Sequence, residues 1–314
     1  MEKSSCKDLV MAVTYQCNSR CRMCNIWKKN QAGSLTADDY NKIPAGLSNI
    51  NITGGEPFLR NDLDQVLFVI HKTCPKAKII ISTNSFATEL IIEKMRIIRN
   101  IIPDLGIAIS LDGMGKTHDE IRGVPGGFDK VMLTVAGLKN IGIKNLRLAF
   151  TLGDYNIEEL KKIYNLSREL GVEMTLSAVH SSEKYFNAEN KIAKKQEMAE
   201  ALDWLIKSEL NSLSLKRWAR AYFAYGLKKF ILTGRRILPD YSGKYNLFID
   251  PEGDIYPNDV SGEKIGRLKN GFDNLAPTID ENSNWMICTA RIAMRKHWPK
   301  FIFWLIGKKL FLKQ

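Results

Sequence analysis

Leu9-Val-Met-Ala-Val-Thr-Tyr15-Gln-Cys17-Asn-Ser-Arg-Cys21-Arg-Met-Cys24 sets three cysteines directly behind an apolar run that reads as a β-strand. Three thiolates on one short loop can hold three corners of a [4Fe–4S] cluster, because soft sulfur ligands suit iron–sulfur chemistry. That spacing leaves the fourth iron without a cysteine, and an open iron can bind a substrate as well as pass electrons. A structural zinc site and unrelated core cysteines are the alternatives. Zinc asks for a fourth Cys or His at motif spacing. Here the nearest histidine is His71, and Cys6 precedes the strand.

Outward from that loop, a second apolar strand, Ser48 to Ile52, runs into Thr53-Gly54-Gly55-Glu56-Pro57. Paired glycines let backbone approach a ligand closely, and a carboxylate beside exposed carbonyls can accept hydrogen bonds from an ammonium group. Strands expected near 9–15, 47–53, 78–83, 106–111, 145–151 and 172–178 alternate with helices expected near 36–44, 62–74, 87–100, 127–141 and 156–170. The alternation predicts an α/β protein with parallel strands, curled by right-handed crossovers into a partial barrel. The cysteine loop, the Gly-Gly turn, Thr83-Asn84 and Ser110 to Asp112 each follow a strand. In such barrels the C-terminal strand ends form the active face.

With Gly-Gly-Glu-Pro behind the next strand, the chain resembles a radical S-adenosylmethionine (SAM) enzyme through residues 9–180. The resemblance implies a partial (β/α)6 TIM-like barrel with a [4Fe–4S] cluster on Cys17, Cys21 and Cys24, whose open iron chelates the amino and carboxylate groups of SAM. It implies that Gly54, Gly55 and Glu56 hold the SAM amino group. Asn84, in a turn placed as in relatives, Ser110 at the end of the fourth strand, and Arg122 shortly after it join the expected SAM contacts. The Arg122 guanidinium is a planar fork suited to a carboxylate, with a helix-surface ion pair as its plainer reading. Asp112 reads equally as a ribose or substrate contact and as a turn residue. Met23 stands where relatives often carry an aromatic, and its polarizable side chain can still cover the adenine.

The chain's 314 residues accommodate an α/β domain and a smaller companion. We divide them into the barrel (1–185), a helical basic–aromatic linker (186–240), a second module (241–295) and an amphipathic basic tail (296–314). No apolar run reaches the ~18 residues of a transmembrane helix, and Met1-Glu-Lys-Ser-Ser-Cys6 lacks the apolar core of a secretory signal. Six cysteines, three of them in one motif, fit a reducing cytosol better than a disulfide scaffold. A cytoplasmic protein kept under anoxic or protected conditions is expected.

The net charge of +12 is uneven. Residues 216–236 carry seven Lys and Arg and no acid, and the chain after residue 290 carries seven more, again with no acid. The barrel is close to neutral, so an anionic partner is expected to meet those two late segments. Within 188–232, Trp204, Trp218, Tyr222, Phe223, Tyr225 and Phe230 read chiefly as core, with a substrate channel or a phosphate or lipid-headgroup site as the alternative.

Tyr245 to Asp259 reads as a hairpin turning at Pro251-Glu-Gly253. With Lys264-Ile-Gly266-Arg, Trp285 and Cys288, it resembles the SPASM/twitch extension of radical SAM enzymes, which usually carries auxiliary clusters. Asn258 stands where relatives place a first ligand, leaving Cys288 alone of that set. One thiolate holds no normal cluster, so a SPASM-like module without an auxiliary cluster, and a buried Cys288, are expected. In the tail, the aromatics and lysines from His297 to Gln314 suit an interfacial helix on an anionic membrane, such as the inner face of the cell membrane. A helix docked on the barrel is the alternative.

The resemblance implies an enzyme that takes an electron from a flavodoxin or ferredoxin, cleaves SAM to a 5′-deoxyadenosyl radical and abstracts hydrogen from a substrate carbon. The expected substrate is a peptide or protein side chain, and the alternative is a membrane lipid or lipid-linked glycan. A non-catalytic nucleic-acid binder is a third reading, since clustered Lys and Arg suffice for phosphate affinity, but an intact cysteine loop plus Gly-Gly-Glu-Pro argues against it.

Overall fold

The computed structural model describes residues 6–182, 185–260, 263–272, 275 and 285–311. Met1 to Ser5, residues 276–284 of the second module and the last three tail residues lie outside that set.

Six parallel strands alternate with helices over the first 178 residues: β1 (Asp8–Ala12), β2 (Asn49–Thr53), β3 (Lys78–Thr83), β4 (Gly106–Ser110), β5 (Leu146–Leu152) and β6 (Glu173–Ala178). They pair in sequence order, and the sheet does not close, so the barrel is partial. Near-continuous apolar runs such as Ile79-Ile80-Ile81 are what a parallel strand covered on both faces requires. Met11, Ile50, Ile52 and Ile81 are fully buried at the centre.

The covering helices are α1 (Leu63–Thr73), α2 (Thr88–Ile101), α3 (Lys116–Arg122), α4 (Gly127–Asn140) and α5 (Glu159–Glu169). In α2, Ile91, Met95 and Ile98 recur every three or four residues and are fully buried, forming one stripe on the sheet. Each such side chain stabilises the fold by ~1.5–3 kcal/mol before its ordering cost. The helix expected at 36–44 is instead a 3-10 segment, Ala37–Lys42. Only Tyr40 within it is buried, so no apolar stripe exists to favour a full α-helix there.

Beyond the barrel come α6 (Lys195–Leu210) and α7 (Leu215–Thr233), then a hairpin of β7 (Asn246–Ile249) and β8 (Asp254–Tyr256), then the short β9 (Gly266–Arg267). The hairpin turns at the expected place, where Gly253 adopts φ +82. β7 runs parallel to β1, pairing Leu9 with Leu247, while β8 and β9 follow antiparallel. One nine-stranded sheet therefore joins the barrel to the hairpin. The Tyr15 hydroxyl, just past β1, donates to Asp250 at 3.1 Å and ties the hairpin to the cysteine loop.

α8 (Ile287–Lys296) and α9 (Trp298–Phe311) complete the described chain. Arg291 of α8 reaches the buried Asp8 at 2.6 Å, and Asn49 donates to the other Asp8 oxygen at 2.7 Å. Cys288, expected to be buried, is half-buried, because it lies beside the exposed Ile287 in the first turn of α8. The cations of α7 are largely engaged within the fold: Lys216 with Glu173, Arg217 and Arg220 with the buried Glu209, and Lys228 with Asp203. Four of the seven cations in 216–236 are thus paired with acids of other elements.

Candidate active site

The cysteine loop is fixed by backbone. Arg20 and Arg22 N–H groups donate to the Arg122 and Ile121 carbonyls at 2.9 and 2.8 Å, tying the loop to the end of α3. Asn25 N–H donates to the Phe186 carbonyl at 2.8 Å on the other side. The Gly-Gly turn locks in beside it, with Gly55 N–H donating to Thr14 and Glu56 N–H to Gln16 at 2.8 and 2.7 Å. A Cβ on Gly55 would sit 2.2 Å from the Gln16 carbonyl oxygen, so only glycine permits this approach.

Cys17, Cys21, Cys24, Gly54, Gly55, Asn84, Ser110 and Arg122 all line one cavity of about 290 Å³ at the C-terminal strand ends. Glu56 does not line it. Its carboxylate is fully buried behind the turn, accepting hydrogen bonds from Thr83 Oγ1 at 2.8 Å, Asn84 N–H at 2.7 Å and Phe58 N–H at 3.2 Å. Burial pushes the Glu56 carboxyl up to about 7, with those three donors opposing the rise. Glu56 thereby clamps the end of β2 to the end of β3, and Gly54 and Gly55 present backbone to the cavity.

Arg122 is paired rather than free. Its guanidinium lies 2.6 Å from the fully buried Asp112 and reaches Cys21 Sγ at 3.7 Å. Burial opposes its charge, but Asp112 and Cys21 outweigh that and hold it protonated. Cys21 Sγ also lies 2.9 Å from the Ser19 hydroxyl, which donates to the Arg122 carbonyl at 2.9 Å, and Asn84 Nδ2 donates to Cys17 Sγ at 3.8 Å. Donors aimed at ligand sulfurs are the usual means of tuning an iron–sulfur site. Asp112, the ambiguous turn residue, supports the site from below by pairing with Arg122 and accepting from Thr151 N–H at 2.8 Å.

Sequence reasoning missed several cavity residues. Ser82, Thr151 and Ser177 join Ser110 as hydroxyls near the C-terminal ends of β3 to β6. Small hydroxyls interrupting apolar strands near those ends were the available signal. His180 and Asn190 form a wall shared with a second, more open chamber of about 540 Å³, lined by Leu227, Phe230, Ile231 and Met286. Nothing local in the sequence announces those two, since they lie in irregular chain after β6.

The sequence profile described as "Radical SAM superfamily" matches residues 11–167. The chain belongs to the radical SAM superfamily. It is similar to a "Probable GTP 3',8-cyclase" of Metallosphaera sedula, 29% identical over 55% of this chain and 56% of that one. It is also similar to a "Pre-heme d1 synthase" of Dinoroseobacter shibae, 30% identical over 52% and 41%. The matched region thus spans about half the length of these relatives. Among solved structures, anSMEcpe with bound AdoMet and a peptide superimposes with a TM-score of 0.61 at 17% identity, covering 84% of this chain and 78% of that one. At that identity the likeness shows the fold.

The superfamily uses a [4Fe–4S] cluster and SAM, and the donor set suits both. Among the described residues no three His, Cys, Asp or Glu converge on a single metal ion. Cys17, Cys21 and Cys24 line one cavity, and three thiolates suit three corners of an iron–sulfur cluster. Burial pushes the Cys17 and Cys24 thiols up to about 12, so metal must displace their protons. The close-fitting glycines leave open backbone beside the thiols.

Proposed function

We propose that this chain cleaves SAM reductively and directs the resulting carbon-centred radical at a C–H bond of a peptide or protein side chain. In this reading Cys17, Cys21 and Cys24 hold the cluster, Gly54 and Gly55 offer backbone to the SAM amino group, and Ser110 and Asn84 make further SAM contacts. Arg122, charged and shared between Asp112 and Cys21, orients the cysteine loop and faces the SAM carboxylate. When bound, the reduced cluster supplies the single electron that breaks the SAM C–S bond; a flavodoxin or ferredoxin is the proposed donor.

The observation that carries the substrate class is the pair of adjoining cavities. The inner one is lined by the thiols; the outer one is open, mostly apolar, and shares His180 and Asn190 with it. An extended peptide laid in the outer chamber can send one side chain past His180 toward the thiols, which is the positioning that radical transfer needs. The named substrates of the relatives differ, so their names do not choose for this chain. A lipid or lipid-linked glycan is the second reading, favoured by the exposed aromatic side chains Trp298 and Phe303 on α9.

We further infer a single cluster, since Cys288 is the one cysteine after residue 74. To test the substrate, reconstituted protein is incubated anaerobically with SAM, dithionite and either a peptide pool or a lipid extract. Peptides are expected to raise the yield of 5′-deoxyadenosine and to change mass. Stimulation by lipid alone would replace the peptide reading, and no 5′-deoxyadenosine under any condition would overturn both.

A further inference from the structure

α9 is apolar on two faces, and one of them stands open. Phe301 and Leu305 are buried. Phe301 packs at a tilt on Tyr222 of α7 at 5.4 Å, and Trp304 packs on Tyr222 and Tyr225 at 5.1 and 5.4 Å. Pro299, Phe303 and Ile306, spaced by four and three residues, fall on the opposite side of the helix. Phe303 is 77% exposed and Ile306 53%, with Trp298 at the helix start 61% exposed. An apolar face left open on a docked helix calls for an apolar cover.

Charge selects what those surroundings are. From Arg291 to Lys313 the sequence carries seven Lys and Arg and no Asp or Glu. Arg291 is committed to Asp8, and Lys296 lies 3.9 Å from the Tyr245 ring centroid. Arg295, Lys300 and Lys308 are exposed and have no acidic partner among the described residues. A second copy of this chain laid on the same face would set like charges against each other. An anionic bilayer presents negative headgroups to the cations and hydrocarbon to the aromatics. A helix of 14 residues is only ~21 Å long, and no helix among the described residues is long and apolar enough to cross a membrane. The contact is therefore with a membrane surface.

We propose that the outer face of α9 docks on an anionic lipid bilayer, with Phe303 and Ile306 inserted below the headgroups and the flanking cations at the phosphates. This surface is separate from the thiol-lined cavity, to which no residue of α9 contributes.

The test sediments the full chain with vesicles of phosphatidylcholine, alone or mixed with phosphatidylglycerol. Binding is expected only with phosphatidylglycerol present, and should weaken as salt rises. The double variant Phe303→Ser, Ile306→Ser is expected to lose about tenfold in binding, and Arg295→Glu with Lys300→Glu should lower it too. Unchanged thermal melting of these surface variants separates lost docking from lost folding. The proposal is overturned if the wild type stays in the supernatant with anionic vesicles, or if the serine variant binds as well as the wild type. A wild-type dimer that the serine variant dissolves would likewise overturn it, assigning the face to a second copy.

Discussion

Two arginine–aspartate pairs with buried carboxylates sit at opposite ends of the barrel strands, and they are built differently. At the start of β1, Asp8 is fully used: Arg291 takes one oxygen through both Nε and Nη2, and Asn49 takes the other. After β4, Arg122 Nη2 meets Asp112 Oδ2 at 2.6 Å, and Arg122 Nε has no hydrogen-bond partner among the described residues. A satisfied pair staples α8 to the sheet. The other holds a charged guanidinium beside Cys21 at the wall of the cavity.

That contrast predicts separable failures. Arg291→Ala leaves Asn49 as the remaining partner of the Asp8 carboxylate, so it should cost ~1–3 kcal/mol of stability, read as a lower denaturation midpoint, while metal content per folded chain stays unchanged. Arg122→Lys keeps the charge but loses the fork. It should lower SAM cleavage or cluster retention by about 10- to 100-fold, with a smaller change in melting than Arg291→Ala. Equal loss of stability in both would erase the distinction between the two ends.

Two smaller effects sharpen it. Gly226 on α7 lies against Trp285, where a Cβ would meet the indole at 2.3 Å. Gly226→Ala should therefore destabilise by ~1–3 kcal/mol through overpacking, measurable by urea unfolding. His118, behind Asp112, accepts its N–H at 3.1 Å and is buried. Burial, with Arg122 adding, pulls it down from 6.5 to about 3. Its neutral form is favoured by folding, so its contribution is present above pH 6.5 and is lost as pH falls toward 3. Over the first unit below 6.5 the loss should be about 1 kcal/mol, and it should vanish in His118→Gln, seen by comparing urea midpoints across that range.

The same contrast explains what the sequence could reveal. The six barrel strands, the cysteine loop and the Gly54-Gly55 turn were readable because βα alternation, cysteine spacing and glycine turns leave local patterns, whereas Asn84, Ser110 and Arg122 came through the family resemblance. α3 went unread: seven residues with only His118 and Ile121 buried make no periodic stripe. The burial of Glu56 was equally hidden, since its partners Thr83 and Asn84 arrive from another strand. Nor does any local signal tell β7 to join β1 more than 200 residues earlier. The cations of α7 looked available only because Glu173 and Glu209 lie on other elements.

The most direct measurement is iron content per chain after anaerobic purification and iron–sulfide reconstitution, followed by dithionite and SAM. The account predicts about four irons per chain with 5′-deoxyadenosine formed, both lost in Cys21→Ala. About eight irons would contradict the single-cluster account, and zinc in place of iron would contradict the radical reading altogether.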